Sequence, residues 1–233
     1  SRTSGNAVLG NIIGVGVDGL TALGNGGAGV TIGFASGNTI GDGEAGNLIS
    51  GNDGDGVRIF AFSTNNVVPG NIIGLDIEGL HDRGNGGSGV SIENSSNNTI
   101  GGTAGTAPST GCLGACNVIS SNDAGVMISE GSSGNKVEGN YIGITPGGFR
   151  RGNSGSGVLI EDASENTIGG TSINARNVIS DNEGYGVELR DTDTSFSTTS
   201  ENKVLGNYIG LIPDAKFPMG NDLSGVLISG AAD

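Results

Sequence analysis

Tryptophan is absent from this chain and positive charge is sparse: 10 Lys plus Arg stand against 24 Asp plus Glu, a formal net charge of −14. Nucleic-acid binding depends on clustered Lys and Arg that neutralise phosphates, so that class is excluded as a partner. Aromatic residues make up 4% of the chain, which leaves few flat platforms for stacking on sugars. No apolar run approaches the ~20 residues of a membrane-spanning helix, so no membrane span is expected. There is no secretion leader and no Met at position 1, and the expectation is a processed chain or a piece of something longer. An acidic surface of this kind favours solubility and can collect divalent cations.

What is abundant is glycine, with 48 residues in 233. Collagen requires Gly at every third position, and that spacing is missing. Disorder requires few branched apolar residues, whereas Val and Ile recur in short, regular clusters. A repeat fold remains.

The tetrad Gly-Val-x-Ile/Leu begins at Gly29, Gly56, Gly89, Gly125, Gly157, Gly186 and Gly225. Between successive tetrads lie two further motifs, each opened by Asn and carrying Val or Ile two residues later. Asn38-Thr39-Ile40 and Asn47-Leu48-Ile49 follow the first tetrad. Apolar residues two apart share one face of a strand. Three short strands cannot bury that face alone, but stacked coils can. Val30, Val57, Val90, Val126, Val158, Val187 and Val226 then form one inward ladder. Ile32, Ile59, Ile92, Ile128, Ile160, Leu189 and Ile228 form the next. At ~4.8 Å per coil, seven coils make a rod roughly 34 Å long.

Each motif Asn sits at a corner, two places before an inward aliphatic. A buried amide is destabilising unless paired. Asn38, Asn98 and Asn166 are therefore read as rungs of a ladder in which stacked amides bond one another and the turn backbone. Coils also alternate in type. Every second one ends in a long loop with an apolar residue (Leu20, Leu80, Phe149, Phe217) ahead of Gly-Asn. Four loops of one design are expected on one side of the rod, with these apolar residues packed against each other or the sheet beneath.

The strings Gly-Asn-Tyr-Ile-Gly (139–143, 206–210), Asn-Thr-Ile-Gly-Gly (98–102, 166–170) and Asn-Val-Ile-Ser (117–120, 177–180) resemble the parallel β-helix repeats of the pectin-lyase-like superfamily. More narrowly, they are similar to tandem repeats of large bacterial secreted and cell-surface proteins. The resemblance runs from Asn6 to about Ser229. It implies an all-β fold, a right-handed parallel β-helix of about seven coils with three short strands each. Residues 1–233 form one domain in this reading, uncapped at both ends. The superfamily mixes lyases, hydrolases, epimerases, adhesins and fibres, so the resemblance specifies fold more than activity.

Pectate-lyase-like enzymes would imply Asp residues on calcium with an Arg or Lys base, and polygalacturonase-like ones a Gly-His-Gly turn and an Arg-Ile-Lys segment. The one histidine, His81, stands in Leu-His-Asp-Arg-Gly, which is not that turn. Arg58-Ile59-Phe60 lacks the Lys, and Arg58 reads as an outward, solvated residue. Arg190 with Asp191 and Asp193, and the acid pairs Glu161/Asp162 and Asp181/Glu183, sit at strand ends and turns where solvated acids are common. No catalytic residue is assigned, and the balance leans away from an enzyme. No cofactor is assigned; Asp53 and Asp55 in Asn-Asp-Gly-Asp-Gly are either an ordinary acidic turn or a calcium site, since their oxygens alternate as at the start of a calcium loop although the later bidentate Glu of an EF-hand is missing. Cys112 and Cys116 are either a small disulfide, which fits an oxidising compartment, or two free thiols; the disulfide is the reading carried forward.

These observations point to an extracellular or cell-surface β-solenoid with a structural or adhesive role. Its partner would be itself or neighbouring solenoid segments, stacked head to tail by joining the strand before Asp233 to the strand after Ser1. The alternative is a polysaccharide lyase, hydrolase or epimerase, or a carbohydrate-binding β-helix. A long groove with clustered Asp and Arg would favour the alternative, and smooth ladders the scaffold.

Overall fold

The computed structural model describes residues 3–105, 111–192, 199–212 and 217–230. Three parallel sheets of seven strands run the length of the chain, and each coil contributes one strand to each. In the second coil these are Thr39–Ile40, Leu48–Ile49 and Val57–Phe60. All seven Gly-Val-x-Ile/Leu strands lie in one sheet, with Val57 paired to Val90 on the next coil and Val90 to Val126. No helix among the described residues is long and apolar enough to cross a membrane. Ser1, Arg2 and residues 231–233, where the head-to-tail join was expected, lie outside the described residues, as does Asp193.

One continuous core fills the inside of the triangle. Val57, Ile59, Val90, Ile92, Val126, Ile128, Val158 and Ile160 are fully buried. Each such side chain contributes about 1.5–3 kcal/mol through removal from water. Val226 and Ile228 in coil 7, with one neighbouring coil, stay 41% and 78% exposed. The tetrad glycine is sterically required: a Cβ on Gly89 would lie 2.4 Å from Ile119 Cγ2 and 2.7 Å from the Gly125 carbonyl oxygen.

Asparagine ladders run along all three corners. At the first, Asn66 donates its backbone N–H and its Nδ2 to Asn98 Oδ1, both at 3.0 Å, and Nδ2 also donates to the Ala35 carbonyl at 3.2 Å. Asn98 repeats this toward Asn135, and Asn135 toward Asn166. A second ladder runs through Asn47, Asn71, Asn117, Asn140 and Asn177, and a third through Asn25, Asn52, Asn85, Asn122, Asn153 and Asn182. Every Asn-to-Asn bond points the same way, from one coil to the next, while Nδ2 also donates back to a carbonyl of the preceding coil. The amides are thereby satisfied inside the protein, which is what permits their burial.

The long loops of coils 1, 3, 5 and 7 fold as narrow arms, each closed by one antiparallel bridge: Val15 to Ala22, Leu75 to Asp82, Ile144 to Arg150 and Leu211 to Pro218. Their bases lie over the outer face of the second sheet. Leu75, Ile144, Val118, Tyr141, Val178 and Cys116 form a second buried cluster there. The arm tips differ from the packing expected of them: Leu20, Phe149 and Phe217 are 41%, 54% and 64% exposed. The base residue of each arm occupies the sheet, so the tip overhangs it.

Candidate functional site

Two kinds of corner position face the arms. In coils 2, 4 and 6 the residue before the corner Asn is Gly51, Ser121 or Asp181, and all three adopt a left-handed backbone, with φ of 73°, 61° and 65°. Glycine suits that conformation, and other residues there are mildly strained. Ser121 and Asp181 use the position to reach the arms. The Ser121 hydroxyl donates to Asp82 Oδ1 at 2.7 Å. Arg150 Nη1 donates to Asp181 Oδ1 at 2.9 Å. Arg151 lies 3.4 Å from Asp82 and also donates to the Leu80 carbonyl at 2.7 Å, tying one arm to the preceding one two coils away.

The residue after the corner Asn adds a row of exposed acids: Asp53, Asp123, Glu183 and Asp222. Together these features form a groove of about 630 Å³ lined by Asp82, Ser121, Asp123, Arg150, Arg151, Asp181, Glu183 and Asp222. It follows the coil axis for about four coil spacings, roughly 19 Å. Burial pushes the Asp181 carboxyl above its ordinary range; Arg150 opposes that shift and Asp222 adds to it. Asp181 and Glu183, noted in sequence as a pair at a turn, thus share a cleft with two arginines. Asp222 and Asp82 carry no such signal in the sequence. The signal available for Asp181 was its alignment with Gly51, where a bulky acid replaces the residue the backbone favours.

A second groove of about 450 Å³ lies between the arms of coils 3 and 5, lined by Ile72, Glu78, Leu80, Val118, Phe149 and the Cys112–Cys116 disulfide. That disulfide joins Cα atoms 5.3 Å apart. On the second sheet's outer face, Tyr141 is 1% exposed, with its hydroxyl pushed up to about 12 by burial, and Tyr208 lies beneath the Arg176 guanidinium at 5.0 Å.

On the third sheet's outer face the arginines point outward and stay partly solvated, and they are also paired. Arg58 Nη2 is 2.5 Å from Glu93 Oε2 on the next coil, and its guanidinium lies 4.9 Å over the Phe60 ring. The Glu93 hydrogen bond holds the Arg58 guanidinium even more firmly protonated than usual. Arg190 bonds Glu161 across coils and Glu188 within its strand. Parallel register explains this: Arg190 stands directly beside Glu161, and Arg58, beside Ser91, reaches diagonally to Glu93 two residues on. Of the candidate calcium ligands, Asp53 is exposed at the acidic corner. Asp55 points to the third sheet instead, accepting from Ser88 N–H and from Ser91 Oγ, both at 2.8 Å.

No family model matches the sequence, and no curated protein matches it. Among solved structures, the Azotobacter vinelandii mannuronan C-5 epimerase AlgE4 A-module is similar, with a TM-score of 0.52 and 14% identity. The alignment covers 90% of this chain and 55% of that one. The chain is a right-handed parallel β-helix. It spans about half the length of that module.

Proposed function

We propose that this chain is a polysaccharide-directed β-helix that takes a stretch of extended glycan along the arm-side groove. The observation that carries the reading is the convergence of Asp181, Glu183, Asp222 and Asp123 with Arg150 and Arg151 in one lengthwise cleft. The similar module is by name an epimerase of mannuronan, a polysaccharide, which supports the same substrate class. Both arginines are engaged by Asp181, Asp82 and the Leu80 carbonyl. The exposed carboxylates of Asp123, Glu183 and Asp222 are left to meet the ligand. Like charges repel in such a cleft. A neutral or amino-sugar glycan therefore fits it better than a bare polyuronate. A polyuronate would need a bridging divalent cation, and calcium at the acidic corner, with Asp53 at its far end, fills that role. The Cys112–Cys116 disulfide supports an extracellular or cell-surface setting.

The test is affinity electrophoresis and product analysis on xylan, partly deacetylated chitin, polymannuronate and polygalacturonate, with and without calcium. Retention by neutral or amino glycans is expected, weakened by Glu183→Gln and Asp222→Asn. No retention by any of these polymers, or retention untouched by both variants, would overturn the reading.

A second reading keeps the structural role, with copies or neighbouring solenoid segments stacking head to tail. It draws on the one-way Asn ladders, whose donors and acceptors would match those of any further coil of like design. Electron microscopy of concentrated protein tests it, and strictly monomeric particles argue against it.

A further inference from the structure

Among the described residues, the arm of coil 3 carries a group found in no other arm. Asp76, Glu78 and His81 bring two carboxylates and the chain's one imidazole together, with one donor atom from each lying within 4.8 Å of the others. The corresponding residues in the coil 1 arm are Gly16, Asp18 and Thr21.

Asp76 is fully buried. Its Oδ1 accepts the Leu80 N–H at 2.8 Å, and its Oδ2 stands 2.5 Å from His81 Nδ1. The first contact is a turn-closing bond, and it does not need a carboxylate. In the coil 5 arm the neutral Thr145 hydroxyl performs it, accepting from Phe149 N–H at 3.0 Å. A buried carboxylate is far less favourable than a buried hydroxyl unless something else uses its charge. His81 is 63% exposed at its side chain, and Glu78 is exposed beside it, so hydrogen bonding alone leaves the third member of the group unexplained.

We propose that the coil 3 arm binds one divalent transition-metal ion of the zinc class through Asp76 Oδ2, the His81 imidazole and the Glu78 carboxylate. One nitrogen and two carboxylate oxygens form a borderline donor set, which favours zinc over the hard, oxygen-seeking calcium ion. Donors at ~2.0–2.2 Å from one ion lie at most ~4.4 Å apart, a small adjustment for an exposed Glu78 side chain. Three protein ligands leave a fourth position open. Glu78 lines the second groove beside Leu80 and Phe149, so that position would border the groove.

The experiment uses the untagged full chain after chelator treatment, titrated with zinc chloride and separately with calcium chloride by calorimetry. Glu78→Gln and His81→Gln serve as variants; Glu78 is exposed and its metal-free melting should stay unchanged, whereas His81→Gln also removes a partner of the buried Asp76 carboxylate and is read by its zinc affinity. The expected result is one zinc ion per chain, a rise in melting temperature with zinc that chelator reverses, and a loss of at least about tenfold in affinity in each variant. Absence of stoichiometric zinc binding, unchanged zinc affinity in both variants, or calcium binding as tight as zinc binding would overturn the assignment.

Discussion

The inside and the arm-side corner of this solenoid obey different rules. Inside, any coil can stand for any other: Val above Val, Ile above Ile, Asn above Asn, with the same bonds at each step. At the corner, equivalent positions hold Gly51, Ser121 and Asp181, or Asp53, Gly86 and Glu183. The interior ladders carry the folding energy, so the corner can vary its chemistry coil by coil without loss of register. Individuality, and with it a candidate site, is concentrated where the repeat is least obeyed.

Ile128→Asp breaks the interior half of this contrast most severely. It places an unpaired charge in a fully buried position, which destabilises by several kcal/mol, and the purified variant should show no cooperative melting by circular dichroism. Asn98→Ala comes next. It takes the Oδ1 acceptor away from the Asn66 N–H and Nδ2 and removes one of the two donors to Asn135 Oδ1, the backbone N–H remaining, for a loss of about 1–3 kcal/mol in denaturant-induced unfolding. The same change at the corner, Arg150→Ala, should cost less stability than Asn98→Ala, since the Arg150 end of that ion pair is 67% exposed, while weakening glycan retention. Equal stability effects of Asn98→Ala and Arg150→Ala would erase the distinction.

Two smaller effects concern pH. Asp181 titrates above its ordinary value of 3.8 when folded. Between 3.8 and the raised value the folded chain therefore binds more protons than the unfolded one, and this residue's contribution to stability falls as pH rises through that window. Asp181→Asn should flatten that slope in melting curves across the acid range. Asp18, on the open arm of coil 1, is held down to about 2, chiefly by the Thr21 hydroxyl. Thr21→Val should bring its carboxyl back toward 3.8 in an NMR titration, and by linkage whatever stability the lowered value contributes above pH 3.8 is lost with it.

The interior was legible in the sequence because its signals are local. Val57 and Ile59, two apart, announce a strand face without reference to any other coil. Asn98, two residues before Ile100, announces a corner. The Arg58–Glu93 and Arg150–Asp181 pairs were not legible, because their partners stand 35 and 31 residues away and the coils between differ in length. Arg151 reaching Leu80, 71 residues back, requires knowing that arms repeat every second coil and overhang the sheet. The exposed tips of Phe149 and Phe217 were misjudged for a related reason. Apolar character argues for burial, but the sheet surface beneath was already occupied by Leu75 and Ile144.

The ladder bonds also give the rod a grammar. Because each amide donates forward and accepts from behind, a coil has a distinct upper and lower face, and an inverted coil would set donors against donors. Because arms belong to alternate coils only, the smallest segment that can be cut out or copied without disturbing its neighbours is a pair of coils. A chain built this way can change length by whole pairs, and each new pair arrives with a blank corner on which a different surface chemistry can be written.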